Sequence, residues 1–130
     1  MAKELPSLGE LEIEVLRTVW REQPCTERQV SDQIIAERQV ARTTVLKTIQ
    51  RLEGKGLLVR VPGAGAVRFR AALDEQRVMP ALIQRFVSRV LGGSAAPLIA
   101  YLGDSTKLSA KDLETLRKIA KKIGKAANDD

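Results

Sequence analysis

The sequence contains no histidine and a single cysteine, Cys25, in 130 residues. Without histidine there is no side chain that ordinarily titrates near neutrality and no imidazole ligand. That excludes Ser–His and Cys–His nucleophile systems and histidine-bearing zinc centres. One cysteine excludes an internal disulfide and any multi-cysteine zinc site, and suits a reducing compartment. Aromatic residues are scarce too: Trp20, Phe69, Phe86 and Tyr101 are the whole set. With several of them at core positions, no stacking platform is left for unpaired bases, which argues against a single-stranded RNA binder. No apolar run approaches the roughly 18 residues of a membrane span. The first residues, Met1 to Pro6, lack the apolar segment of a secretory signal. The expectation is a soluble, cytoplasmic protein that is not an enzyme, needs no metal or cofactor, and does not insert into membranes.

What is present is basic charge, unevenly placed. The net charge is +6, and 44% of residues are hydrophobic, enough for a packed core. Residues 1–40 are net acidic, with five bases and eight acids. Residues 41–70 hold Arg42, Lys47, Arg51, Lys55, Arg60, Arg68 and Arg70 against one acid, Glu53. An ordinary solvated surface mixes both signs, so this block has the form of a footprint for a polyanion. Charge alone does not separate that reading from a merely basic surface.

Periodicity supplies the local structure. Ser7 to Glu10 and Thr26 to Gln29 each have the spacing of a capping box that opens a helix. After the first, Leu8, Leu11, Val15 and Val19 recur on one face, widened by Ile13, Leu16 and Trp20, until Pro24 ends the helix. After the second, Val30 and Ile34 face inward. A third helix is expected over residues 42–55, with Val45, Ile49 and Leu52 buried beside Thr48. At 100° per residue Thr43, Lys47 and Gln50 then lie on the opposite side, flanked by Thr44, Leu46 and Arg51. The period next changes to two. Leu57, Val59 and Val61 pair with Val67, Phe69 and Ala71 as the apolar face of a hairpin turning at Pro62 to Gly65, with Arg60, Arg68 and Arg70 on the other face. Helix, helix, helix, hairpin is the order of a winged helix-turn-helix. The predicted fold is therefore mainly α with a small β-hairpin: a winged helix-turn-helix over residues 1–73 and a helical arm over 74–124, with 125–130 a frayed tail.

The arm is strongly apolar. Val78, Met79, Leu82, Ile83, Phe86, Val87 and Val90 form a broad helical face that ends at Gly92 and Gly93. Leu98, Ile99 and Tyr101 lie in a short following segment, and Leu113, Leu116 and Ile123 repeat near heptad spacing after a cap at Ser109 to Asp112, with Leu108 and Leu113 as a hydrophobic staple. The arm is too small to bury this surface alone. A second copy in closed two-fold symmetry satisfies identical apolar faces at once. Packing onto the chain's own N-terminal domain is the other solution.

A helix fits the major groove, where each base pair shows a distinct hydrogen-bonding pattern. Gln50 carries the amide that pairs adenine, Lys47 donates to guanine, the Thr43 and Thr44 hydroxyls suit bases or phosphates, and Leu46 suits a thymine methyl. Arg42, Arg51, Lys55, Arg60, Arg68 and Arg70 are candidates for backbone phosphates. Double-stranded DNA is the expected partner, and a protein-interaction module without DNA binding is the alternative.

The runs Leu11-Glu-Ile-Glu-Val-Leu-Arg-Thr-Val-Trp20, Thr43-Thr-Val-Leu-Lys-Thr-Ile-Gln-Arg-Leu52 and Lys55-Gly-Leu-Leu58 resemble the penicillinase-repressor family (BlaI/MecI/CopY), with a likeness extending over residues 7–124. The resemblance implies a homodimeric repressor with an N-terminal winged helix and a helical dimerisation arm, binding an inverted-repeat operator. It also implies relief by a signalling protease cutting within the arm, where Ala100–Tyr101 matches the bond, although Ala100 stands where the family has Asn. The paired C-terminal cysteines of the copper-responsive members are absent, and the wing tip Gly63-Ala-Gly-Ala66 is small and neutral where the family carries basic or bulky polar residues. Cys25 precedes a helix start that can lower a thiol's pKa, so a redox role stands beside that of an inert core residue.

Overall fold

The computed structural model describes residues 5–104, 109–111, 114 and 118. Its elements run α1 (Glu10–Glu22), β1 (Cys25–Thr26), α2 (Glu27–Glu37), α3 (Arg42–Gly54), β2 (Leu58–Val61), β3 (Arg68–Ala71), α4 (Glu75–Arg89) and α5 (Ala96–Gly103). The chain divides into two compact units, Met1–Pro80 and Ala81–Asp130. The fold is mainly helical with one small sheet. Asp112 of the cap that begins at Ser109, the staple of Leu108 and Leu113, Leu116, Ile123 and the tail 125–130 lie outside the described residues.

In the first unit three helices close on a sheet. Val15, Leu16 and Val19 of α1, Val30 and Ile34 of α2, and Val45, Ile49 and Leu52 of α3 form one apolar cluster with Cys25, Leu57, Leu58, Phe69 and Ala71. Helix 2 begins as its sequence dictates: the Gln29 amide donates to Thr26 Oγ1 at 3.1 Å, and the Thr26 amide to Gln29 Oε1 at 2.8 Å. Helix 1 begins two residues later than the Ser7 box implies. Its N-cap is Gly9, whose amide donates to Glu12 Oε1 at 3.0 Å, so only half of a capping box exists. At its far end the Trp20 indole donates to the Leu73 carbonyl at 3.0 Å, tying α1 to the segment after β3.

Two features of the sheet correct the expected hairpin. It is three-stranded, in the order β1-β3-β2, because Cys25 and Thr26 pair antiparallel with Phe69 and Arg68. The phase of β2 is also inverted. Leu58 pairs with Ala71 and Arg60 with Phe69, while Val59 and Val61 pair with Arg70 and Arg68. Directly paired residues share a face, so Leu58 is the buried residue of β2, and Val59 and Val61 lie on the face that carries Arg68 and Arg70.

The cause is the end of α3. Gly56 has φ +77°, the Gly56 amide donates to the Glu53 carbonyl at 3.0 Å, and the Leu57 amide to the Leu52 carbonyl at 3.0 Å. These are the two bonds of a Schellman cap, with the accompanying apolar contact between its ends supplied by Leu57 and Leu52 in the core. Leu57 is consumed by the cap, so strand alternation starts one residue later and every side chain changes face. Val67, expected inward, precedes β3 and is 46% exposed.

In α4, Val78 is buried, and Pro80 removes one amide from the helix ladder. Helix 5 starts with Pro97 in its first turn, where the missing amide costs nothing. In the second unit Ile83 and Phe86 of α4 are 45% and 42% exposed, Val90 just past its end is 65% exposed, and Tyr101 of α5 is 75% exposed.

Candidate nucleic-acid interface

Helix 3 is amphipathic in the expected sense. Val45, Thr48, Ile49 and Leu52 are buried, with the Thr48 hydroxyl donating to the Thr44 carbonyl at 2.8 Å. That seals one side and leaves Thr43, Thr44, Lys47, Gln50 and Arg51 exposed on the other. Leu46 is half-buried and packs against the core, so it presents only an edge. In the sheet, β3 alternates buried Phe69 and Ala71 with exposed Arg68 and Arg70.

The cations of the basic block fall into two sets. Three are held by acids. Arg42 donates to Asp32 Oδ1 at 2.6 Å and to Ser31 Oγ at 2.5 Å. Arg60 donates to Glu53 Oε2 at 2.7 Å, and its guanidinium lies 5.7 Å from the centre of the Phe69 ring. Lys55 donates to Glu12 Oε2 at 2.6 Å and to the Ser7 carbonyl at 2.8 Å. Its ammonium is turned inward and is committed to the first turn of α1 rather than offered to a phosphate. Burial pushes the Glu12 carboxyl up, but the Lys55 ammonium, the Gly9 amide and the charge of Arg51 outweigh it and hold the group below its ordinary range.

Lys47, Arg51, Arg68 and Arg70 form the second set. Among the described residues none of them has an acid partner within ion-pair distance. Uncompensated positive charge thus collects on the outer face of α3 and on one face of β3. Sequence reasoning overlooked Arg28, Ser31 and Asp32: Arg28 and Ser31, with Glu27, Arg42 and Leu46, line an open cleft between α2 and α3, and Asp32 pairs with Arg42. No local pattern marks them, because only the packing of α2 on α3 brings them together.

Cys25 is fully buried in β1, and burial, with the nearby Glu22 charge, raises its thiol pKa. The helix start beside it does not activate it. The acids Glu10 and Glu14 pair with Arg38, at 3.7 and 2.6 Å. Among the described residues no group of three or more His, Cys, Asp or Glu is placed to hold a metal, and no helix is long and apolar enough to cross a membrane.

Of the residues expected at a dimer contact, Val78 is already buried within one chain. Met79, Leu82, Val87, Leu98 and Ile99 are half-buried, while Ile83, Phe86, Val90 and Tyr101 are exposed. Ala100 and Tyr101 both lie inside α5.

Residues 8–122 match the penicillinase repressor family. The chain belongs to that family. The transcriptional regulator BlaI from two strains of Mycobacterium tuberculosis, CDC 1551 / Oshkosh and H37Rv, is 30% identical over 121 residues, covering 91% of this chain and 85% of the relative. The family is one of DNA-binding transcriptional repressors, not of catalysts. Among solved structures, the solution structure of Bacillus licheniformis BlaI, in monomeric form with the blaP half-operator, shares the fold. It has a TM-score of 0.51 and 20% identity, covering 58% of this chain and 92% of that one.

Proposed function

We propose that this penicillinase-repressor member acts in the cytoplasm as a homodimer that places one α3 from each subunit in successive major grooves of a palindromic operator, about 34 Å apart. The observation that carries this reading is the outer face of α3. Thr43, Thr44, Lys47 and Gln50 stand exposed over a sealed apolar side, and Arg51 on the same helix and Arg68 and Arg70 on β3 have no acid partner within ion-pair distance among the described residues. In this arrangement Lys47 and Gln50 read base edges, Leu46 offers its edge to a thymine methyl, and the three arginines meet phosphates. Residues 1–73 are the DNA-binding part and 74–124 the dimerisation arm.

Pairing of two copies through Ile83, Phe86 and Val90 covers an apolar strip that one chain leaves in water. A single short reading helix discriminates weakly, and linking two raises the effective concentration of the second for its half-site. Loosening the arm, or cutting it by a signalling protease at Ala100–Tyr101, would remove that gain. The bond lies within α5, so cleavage there requires local unwinding. The small wing tip, Gly63 to Ala66, contributes no charge.

Selection of bound duplexes from a random library tests the function. Recovery of a palindromic consensus is the expected result. If no sequence is enriched, and the purified chain shifts no duplex at low salt, the reading is overturned.

A further inference from the structure

Arg42 opens α3, and no local side chain caps that end of the helix, where the Thr44 and Val45 amides donate to the Ala41 carbonyl at 3.0 and 3.2 Å. Its N-cap is Ala41, which has no side-chain cap. The restraint comes from α2. The Arg42 fork places Nη1 2.5 Å from Ser31 Oγ and Nη2 2.6 Å from Asp32 Oδ1. Ser31 is fully buried, and its hydroxyl donates onward to the Arg28 carbonyl at 3.2 Å. A planar guanidinium spanning two acceptors sets direction as well as distance, which a lysine ammonium does not. Arg28 borders the same cleft differently: its side chain is 86% exposed, and its contact to Asp32 is long, at 4.0 Å.

We propose that Arg42, with Asp32 and Ser31, is a positioning residue that fixes the approach of α3 relative to α2, and that Arg28 supplies the phosphate contact at this cleft. The inference rests on the DNA-binding reading above and reassigns one of its cations. Turning Arg42 toward a phosphate would remove the donor from a buried hydroxyl and the close partner from Asp32. Its charge is cancelled where it sits, so it releases no counterion. Lys47 and Gln50 lie five and eight residues further along the same helix. With a rise of about 1.5 Å per residue, loosening the first residue of α3 displaces both from base edges.

The experiment measures binding of the full-length chain to two probes across a salt series. One is the duplex that the wild-type chain selects from a random library, and the other is a shuffled duplex of the same length and composition. The variants are Arg42→Lys, Arg42→Gln, Asp32→Asn and Arg28→Gln, each assayed well below its own melting temperature. Arg42→Lys, Arg42→Gln and Asp32→Asn are expected to lose about ten-fold of the selected-to-shuffled ratio, the scale of one displaced base contact. Arg42→Gln keeps the wild-type salt slope, whereas Arg28→Gln makes it shallower by about one for each phosphate no longer neutralised. The proposal is overturned if Arg42→Lys retains the ratio, if Arg42→Gln makes the slope shallower, or if Asp32→Asn tightens both probes equally. A variant with a lowered melting temperature but an unchanged ratio overturns it too, since Arg42 is then only structural. A wild-type chain that binds neither probe overturns the DNA reading itself, and this inference with it.

Discussion

The Lys55 ammonium sits 2.6 Å from the Glu12 carboxylate, joining the residue that caps α3 to the first turn of α1 across 43 positions of sequence. The Glu12 side chain is 8% exposed and that of Lys55 27%. The pair therefore restrains the helix carrying the reading face, and its loss is felt as stability. Glu12→Gln is expected to cost about 1–3 kcal/mol, the range for a charged group left without its partner. The folded-state pKa of Glu12 lies below its ordinary value of 4.5. Its contribution is thus complete above that ordinary value and is lost as pH falls through the lower folded value. Thermal melts should show a constant gap between wild type and Glu12→Gln from neutral pH down to about 5, closing in more acid solution. A gap that stayed constant into strong acid would show that the pair does not stabilise the fold.

Lys47 and Gln50 are exposed on α3, and Lys47 has no acid within ion-pair distance among the described residues, the condition for reading bases rather than supporting the fold. Lys47→Ala and Gln50→Ala should each cost about 1–3 kcal/mol on the selected duplex and much less on random duplex. Melting temperatures should be unchanged, because neither side chain is buried. Equal losses on both duplexes would remove these residues from base readout.

The cations without acid partners set the salt dependence of binding. If Arg51, Arg68 and Arg70 each neutralise one phosphate per subunit, they account for about six phosphates in the dimer and about −5 of the logarithmic salt slope, to which the Arg28 contacts add. The double variant Arg68→Gln/Arg70→Gln removes about four of these charges and should make the slope shallower by about four. Arg60→Gln should leave the slope almost unchanged, since that guanidinium is already held by Glu53. An Arg60 variant as damaging as the β3 pair would reverse the division between held and available cations.

That division was not legible in the sequence. Counting charges over residues 41–70 records one acid, but two of the acids that hold this block, Glu12 and Asp32, come from α1 and α2. Separations of 43 and 10 residues carry no periodic signal. The outer face of α3 was legible, because a helix of thirteen residues repeats its burial pattern often enough to define a side. The start of α2 was legible for a local reason, the Thr26–Gln29 reciprocity. A strand of four residues has no such redundancy, and the use of Leu57 in the α3 cap was enough to invert β2. Strand β1 is two residues long and is specified by its partner, β3, rather than by itself.

Cys25 is fully buried in the core cluster, with its thiol pKa raised. A thiol reagent at neutral pH should label it only as fast as the N-terminal unit opens, and at once in denaturant. Cys25→Ser should lower stability by placing a hydroxyl in an apolar site, while DNA affinity at low temperature is retained. Rapid labelling of the native chain, with loss of DNA binding, would restore the redox reading.

Phe86 of α4 is 42% exposed in one chain, with Ile83 one turn before it and Val90 one turn after. In a lone subunit, Phe86→Asp places a carboxylate where water already reaches, so the second unit has no reason to unfold. In a dimer that buries the strip, the same change puts an unpaired charge into an apolar contact, and association fails. Sedimentation should find wild type dimeric and Phe86→Asp monomeric, with the same helical content by circular dichroism. Binding to a full palindrome should then fall to the level of binding to a single half-site, because the two reading helices are no longer linked. A variant that stayed dimeric would move the contact away from Phe86, to the half-buried Leu82, Val87 and Ile99 or to the residues beyond 104.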